Sequence, residues 1–161
     1  MSPRSVLNSL PFSMNVLAST STFPAGELIE GHLRPCPNRP NCVTSDSSTN
    51  SSDNNTIAPI LFQNSPEDAW QKIKMIIARL GGNICKTTST YLWATYSSKF
   101  FGFVDDLELR MEPEEKLIHI RSGARIGYFD FNVNRRRVEK IRKLMAEETE
   151  GEQGNRKQVK K

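Results

Sequence analysis

The sequence is short of the residues that most site chemistry needs. Two histidines, His32 and His119, and three cysteines are all it offers among the usual soft metal ligands and nucleophile partners. It has no glycine-rich phosphate loop, and no Ser, Cys and His spaced as a nucleophile with its base. No apolar run approaches the roughly 18 residues that a transmembrane helix needs. Only 37% of residues are hydrophobic and 8% aromatic, so a buried core draws on part of the chain only. These shortages argue against phosphate-loop nucleotide chemistry, a membrane span and a recognisable catalytic triad.

What is present fits one domain with tails, since 161 residues is a single-domain length. Residues 1–26 hold no acid and six serines, which reads as a disordered or cleavable targeting segment. As a secretory signal it is weak, because Asn8, Pro11, Ser13 and Asn15 interrupt its apolar run, and it has no cysteine for lipid attachment. Residues 27–148 read as one α+β domain, and 149–161 as a disordered charged tail. The net charge of +4 is uneven: ten Lys/Arg against five Asp/Glu leave +5 in residues 134–161, hence −1 for residues 1–133.

Residues 33–45, LRPCPNRPNCVTS, form a Pro/Cys-rich N-terminal arm, in which Pro35, Pro37 and Pro40 forbid a helix. Three readings of its cysteines compete. One is a structural Cys36–Cys42 disulfide in an oxidising compartment. Another is a redox pair, disfavoured by a five-residue gap. The third is a zinc site of His32, Cys36, Cys42 and Cys85, with the right count but only half of any usual spacing. The disulfide is the plainest of the three, and it leaves Cys85 as a buried thiol in a strand. Residues 44–56, TSDSSTNSSDNNT, read as a polar low-complexity insert with nothing to bury, where Asn50 and Asn54 match the glycosylation acceptor pattern.

Ile57–Phe62 follows as a short edge strand. A helix then begins at the N-cap Ser65, with Pro66, Glu67 and Asp68 in its first turn, an apolar stripe of Ala69, Ile73, Ile76, Ile77 and Leu80, and a stop at Gly81-Gly82. Trp70 lies beside that stripe as a core residue. Asn83–Thr88 and Tyr91–Ser97 read as strands. Phe103–Ser122 alternates in polarity around Glu112-Pro113-Glu114-Glu115, the pattern of a β-hairpin. If those four residues are the loop, Leu109 faces Ile118 and Leu107 faces Ile120, with Glu108 opposite His119 and Asp106 opposite Arg121 on an outer, solvated face. An irregular loop, flexible at Gly123 and Gly127, carries Arg125 and Asp130. A last helix runs from about Val133 to Glu147, its stripe being Val138, Ile141, Leu144 and Met145. The fold class is therefore α+β: an antiparallel sheet of about four sequential strands, one helix before it and one after.

One charge in this layout needs a reason. Alternation puts Asp105 on the apolar face with Leu107 and Leu109, where an unpaired carboxylate is costly. Helical spacing turns Asn134 and Arg137 inward, leaves Arg135 at the margin and points Arg136, Glu139 and Lys143 away. An Asp105–Arg137 pair is the natural solution. Around it, Asp106, Glu108, Arg121, Arg125, Asp130, Asn134 and Arg135 complete a candidate site that reads either as a salt-bridge network joining helix to sheet or as a binding face for a small anionic ligand.

Four motifs, LRPCPNRPNCV, Ile57-Ala-Pro-Ile60, FVDDLELR with IHIRS, and SGARIGYFDFNVNRRRVEKIRKL, strongly resemble the domain-of-unknown-function 1499 family over roughly residues 24–146. The resemblance implies a small α+β domain, often exported or envelope-associated, with no established activity. This chain departs from the family's pattern in its Ser/Asn-rich insert and in lacking a lipoprotein signal.

The expectation is a non-enzymatic exported or organellar module that needs no cofactor or metal and binds a small anionic ligand or an envelope partner. The candidate ligand contacts are Asp105, Arg121, Arg125, Asp130, Asn134, Arg135 and Arg137. An alternative is an enzyme with Asp105 or Asp130 as general base; Asp105 and Asp106, being adjacent, cannot work together as an acid/base pair. A weaker alternative takes the basic last helix as a nucleic-acid contact, although half of that run faces the core.

Overall fold

The computed structural model of the chain describes residues 25–46, 53–98 and 102–158. The targeting-segment reading of residues 1–26 and the acceptor match at Asn50 fall almost wholly outside these. In chain order the elements are β1 (Cys42–Thr44), a 3-10 turn at Asp53–Asn55, β2 (Ile60–Leu61), α1 (Pro66–Arg79), β3 (Asn83–Thr87), β4 (Tyr91–Ser97), β5 (Val104–Glu112), β6 (Leu117–Ala124) and α2 (Val133–Gln158). The sheet is antiparallel in the order β1-β6-β5-β4-β3, with β2 also pairing β6.

The four long strands form the sequential meander that alternation predicts; the sheet has six because β1 and β2 add short edges to β6. β2 falls within the Ile57–Phe62 edge strand expected from the sequence, whereas β1, three residues in a proline-flanked stretch, is too short for a period-2 pattern.

One face of the sheet carries the core. Leu92, Ala94, Leu107, Leu109, Ile118 and Ile120 meet Ile73, Ile76 and Ile77 of α1 and Val138, Ile141 and Met145 of α2, all of them buried. The α1 start follows from its cap: the Ser65 hydroxyl accepts from the Asp68 N–H at 3.0 Å. Trp70 is core, and its indole N–H donates to the Thr88 carbonyl at 2.8 Å. The α2 backbone is helical to Gln158, further than the Glu147 end implied by its apolar stripe.

The hairpin register differs from the expected one by two residues. Leu109 pairs with Ile120, Leu107 with Ser122, Glu108 with Arg121, Arg110 with His119 and Asp106 with Gly123. Glu112 belongs to β5, where it pairs with Leu117. The turn is Pro113–Lys116, closed by the Lys116 N–H on the Pro113 carbonyl at 3.2 Å, with Lys116 at φ 54. A two-residue slip keeps every side chain on its face, so hydrophobic alternation cannot distinguish the registers.

The second face of the sheet is where expectation and structure part most. It is covered by residues 25–46, and Asp106, Glu108, Arg110 and Arg121 are 5, 0, 9 and 7% exposed. His119 is similarly enclosed, with its side chain 16% exposed. Cys36 and Cys42 form a disulfide in this cover, which removes the thiolates that a zinc site or a reduced pair would need. Cys85 is exposed on β3, not buried, because it faces away from the helices at the sheet's outer edge. The insert expected at 44–56 buries Thr44, Ser45, Asp46 and Asn55 at its two ends. Polar residues pack there because the backbone meets them: the Asn55 amide donates to the carbonyls of Arg39 and Cys42 at 2.8 and 3.0 Å.

Gly123 is not a hinge. It lies within β6 opposite Cys42, and a Cβ on it would sit 2.9 Å from the Cys42 Sγ. A glycine is required there for closeness rather than freedom.

Candidate functional site

The residues singled out from the sequence separate onto the two faces of one sheet. On the helix side, Asp105 and Arg137 form the expected pair, with Arg137 Nη2 donating to Asp105 Oδ2 at 2.7 Å. The other guanidinium branch donates to Asn134 Oδ1 at 2.6 Å and Ser122 Oγ at 3.0 Å, and Ser122 donates to the same amide oxygen at 2.5 Å. Arg137 also stacks over the Tyr96 ring, its Cζ 4.3 Å from the centroid. Burial raises the Tyr96 phenol to about 12, with Arg137 opposing part of that rise. Asn134 therefore completes the cluster through the arginine, not through Asp105.

Asp130 stands at the entry to α2. Its Oδ1 accepts from the Asn132 N–H at 2.9 Å, and its Oδ2 accepts from the Asn134 N–H at 3.0 Å and the Asn134 side-chain amide at 2.9 Å. Both oxygens are thereby committed to the helix start. Arg135, one turn inside, donates to the backbone carbonyls of Asn54 at 2.7 Å and Thr56 at 3.2 Å. Among the described residues it forms no ion pair with a carboxylate. Asp130 and Arg135 share the wall of an open cleft of about 440 Å³ with Pro40, Val43, Asn54 and Asn132.

The covered face holds the larger assembly. Glu108 is fully buried and accepts from Arg34 Nε and Nη2 at 2.9 and 2.7 Å, the Tyr91 hydroxyl at 2.8 Å, Arg121 Nη1 at 3.3 Å and the Gly26 N–H at 3.4 Å. Burial, then the charge and hydrogen bond of Glu108, push the Tyr91 phenol well above its ordinary range. Arg121 is pushed down to about 10 by burial and the nearby Arg34 against the pull of Glu108 and Asp106, and it stays protonated at neutral pH. Beside this centre Asp106 takes a two-pronged contact from Arg125, at 2.9 and 3.1 Å, and the Trp93 indole N–H at 2.8 Å.

A second knot ties the cover down. Asp46 accepts from Arg110 Nε and the Leu33 N–H, both at 2.9 Å, and contacts the His32 ring at 3.0 Å. Burial works to raise Asp46, but these bonds outweigh it and hold the carboxyl below its usual range. The hydrogen bond from Arg110 likewise holds Glu112 low.

Arg121 and Arg125 thus belong to the covered face, Asp105, Asn134 and Arg137 to the helix interface, and Asp130 and Arg135 to the cleft. Sequence reasoning missed Arg34, Tyr91, Trp93, Asp46 and Arg110. The available signal was the alternation of four charges, Asp106, Glu108, Arg110 and Glu112, along one strand face, a density that calls for partners. Among the described residues no group of three or more His, Cys, Asp or Glu is arranged to hold a metal ion, and no helix is long and apolar enough to cross a membrane.

Fold and site together define a small α+β protein whose six-stranded antiparallel sheet carries two helices on one face and a disulfide-closed, charge-bonded cover on the other. The chain belongs to the family described as protein of unknown function (DUF1499), whose model matches residues 32–145. That span begins inside the cover and ends with the apolar stripe of α2. No curated protein matches the chain.

Proposed function

We propose that the protein is a binding module for a small anionic ligand, taken in the cleft between the Cys36–Cys42 loop, residues 54–56 and the start of α2. The observation that carries this reading is Arg135. It stands in the cleft wall with its bonds spent on two neutral carbonyls, whereas Arg34, Arg110, Arg121, Arg125 and Arg137 are each bonded to a carboxylate. Asn54 and Asn132 supply amide groups beside it. The Asp130 charge in the same wall is offset by the α2 N–H groups it accepts. A guanidinium so placed takes a carboxylate or phosphate through paired N–H donors.

Asp105 is bonded to Arg137 and both oxygens of Asp130 accept from the start of α2, which favours binding over general-base chemistry. Thermal denaturation of the full chain in inorganic phosphate, sulfate and citrate tests the reading. A ligand present at a hundred times its dissociation constant adds about 2.7 kcal/mol of stability. Wild type should gain melting temperature in at least one of these anions, and Arg135→Ala should not. An equal gain in the variant, or none in wild type, overturns the assignment.

A further inference from the structure

Among the described residues, five of the eight exposed large apolar side chains stand in one stretch of chain, the others being Leu61, Met75 and Phe103. Ile126, Tyr128, Phe129, Phe131 and Val133, between β6 and the first turn of α2, are 60, 68, 55, 75 and 40% exposed. The Phe129 and Phe131 rings meet edge to face, with centroids 5.2 Å apart. Their backbone is fixed from below. The Arg125 N–H donates to the Val104 carbonyl at 3.1 Å, the Asn41 amide to the Gly127 carbonyl at 2.6 Å, and the Asn132 N–H to Asp130 at 2.9 Å. Phe131 and Asn132 sit at φ 54 and 60, a conformation that bulky residues hold only when their surroundings impose it. The outward display of these rings is therefore built into the loop, and five large apolar groups on one loop form a patch that calls for a partner.

The charges beside the patch indicate which partner. Val133, Arg136, Lys140 and Lys143 fall within one arc of α2, and all four are exposed. Three cations thus run for about 15 Å from the aromatic loop along the helix. Two acids flank this line: Glu147 at the far end pairs with Lys143 at 3.6 Å, and Glu139 beside it is taken by Arg142 at 2.6 Å. Asp130, the acid inside the loop, is held by the helix start. An aromatic tip that continues into a cationic stripe is the chemistry of an interfacial membrane contact, with rings at headgroup depth and cations on lipid phosphates.

We propose that the loop 126–133, together with Arg136, Lys140 and Lys143, docks on an anionic lipid surface. A protein partner would also cover the rings, but the extended cationic line favours a surface that is anionic over a wide area. Asp130 and Asn132 of this loop line the cleft, but the exposed apolar side chains, Arg136, Lys140 and Lys143 do not, so variants at those positions test the docking surface separately from the ligand reading.

Co-sedimentation of the full chain with vesicles tests it, using phosphatidylcholine alone and phosphatidylcholine with an equal share of phosphatidylglycerol. Binding to the anionic vesicles should be about tenfold the stronger and should weaken with salt. The double variant Phe129→Ser, Phe131→Ser should lose binding by roughly tenfold or more with its melting temperature unchanged, since neither ring is in the core. Arg136→Glu with Lys140→Glu should abolish the preference for the anionic vesicles. Wild-type protein that stays in the supernatant with both vesicles overturns the proposal, as does undiminished binding of the phenylalanine variant. Light scattering reads the rival occupant: a dimer that the phenylalanine variant dissociates, without vesicle binding, assigns the patch to a second copy instead.

Discussion

A carboxylate with no exposed surface persists in a fold only when its lone pairs are met, and Glu108 meets that condition with two arginines, a tyrosine hydroxyl and a backbone N–H. Removing its charge while keeping its shape takes away the carboxylate bonded to both Arg34 and Arg121, with Asp106, 3.9 Å from Arg34, a weaker substitute. Glu108→Gln should therefore cost about 3–5 kcal/mol in urea denaturation; a loss under about 1 kcal/mol would mean that the cover opens readily to water. Asp105→Ala should cost less, about 2 kcal/mol, because Arg137 keeps Ser122, Asn134 and the Tyr96 ring. The two acids also differ in how readable they were. Asp105 betrays itself by standing among Leu107 and Leu109, and helical spacing then supplies Arg137. Glu108 sits among other charges on an alternating strand, and its main partner, Arg34, lies 74 residues earlier, beyond the reach of any local pattern.

The elements followed their sequence signals wherever the signal was a face. The α1 stripe, the four-strand meander and the inward turn of Asn134 and Arg137 are all face arguments, and the structure agrees with each. Register is different, because turn chemistry decides it. Pro113–Lys116, with Lys116 in the left-handed region, sets the pairs two residues from those expected. The register leaves Gly123 opposite Asp106 on one side and Cys42 on the other. Gly123→Ala should cost about 1–3 kcal/mol by overpacking against the Cys42 sulfur, seen as a lower melting temperature. Replacing Cys36 and Cys42 together by serine should cost about 2 kcal/mol, the chain-entropy value for so short a loop. Mass spectrometry with and without reductant checks the bridge itself.

At the scale of the molecule, two amphipathic helices on one side and a charged, bridged cover on the other make a three-layer arrangement. The sequence announced only the helical layer, because apolar stripes are periodic and ion pairs between distant segments are not. The cover should make the fold acid-sensitive. Asp46 and Glu112 have folded-state values below their ordinary 3.8 and 4.5. A depressed carboxylate contributes stability that is fully present above its unfolded value and is lost as pH falls through the folded one. Stability should thus hold down to about pH 5 and then decline through and below pH 4. Asp46→Asn should be less stable than wild type at neutral pH and should show a flatter acid limb in denaturant titrations. An acid limb of unchanged slope would sink this account of Asp46.

The cover has one more consequence, for the order in which the chain assembles. β1 precedes its strand partner β6, which begins at Leu117, by more than seventy residues. Arg34 and Asn41 must likewise wait for Glu108 and Asn134. The Cys36–Cys42 bridge needs no such wait, since its ends are six residues apart. A nascent chain can therefore close the small ring first and hold Asn41 beside it, then dock the finished piece as β5 and β6 complete the meander. Slow closure of the cover onto a preformed sheet is the expected last step of folding.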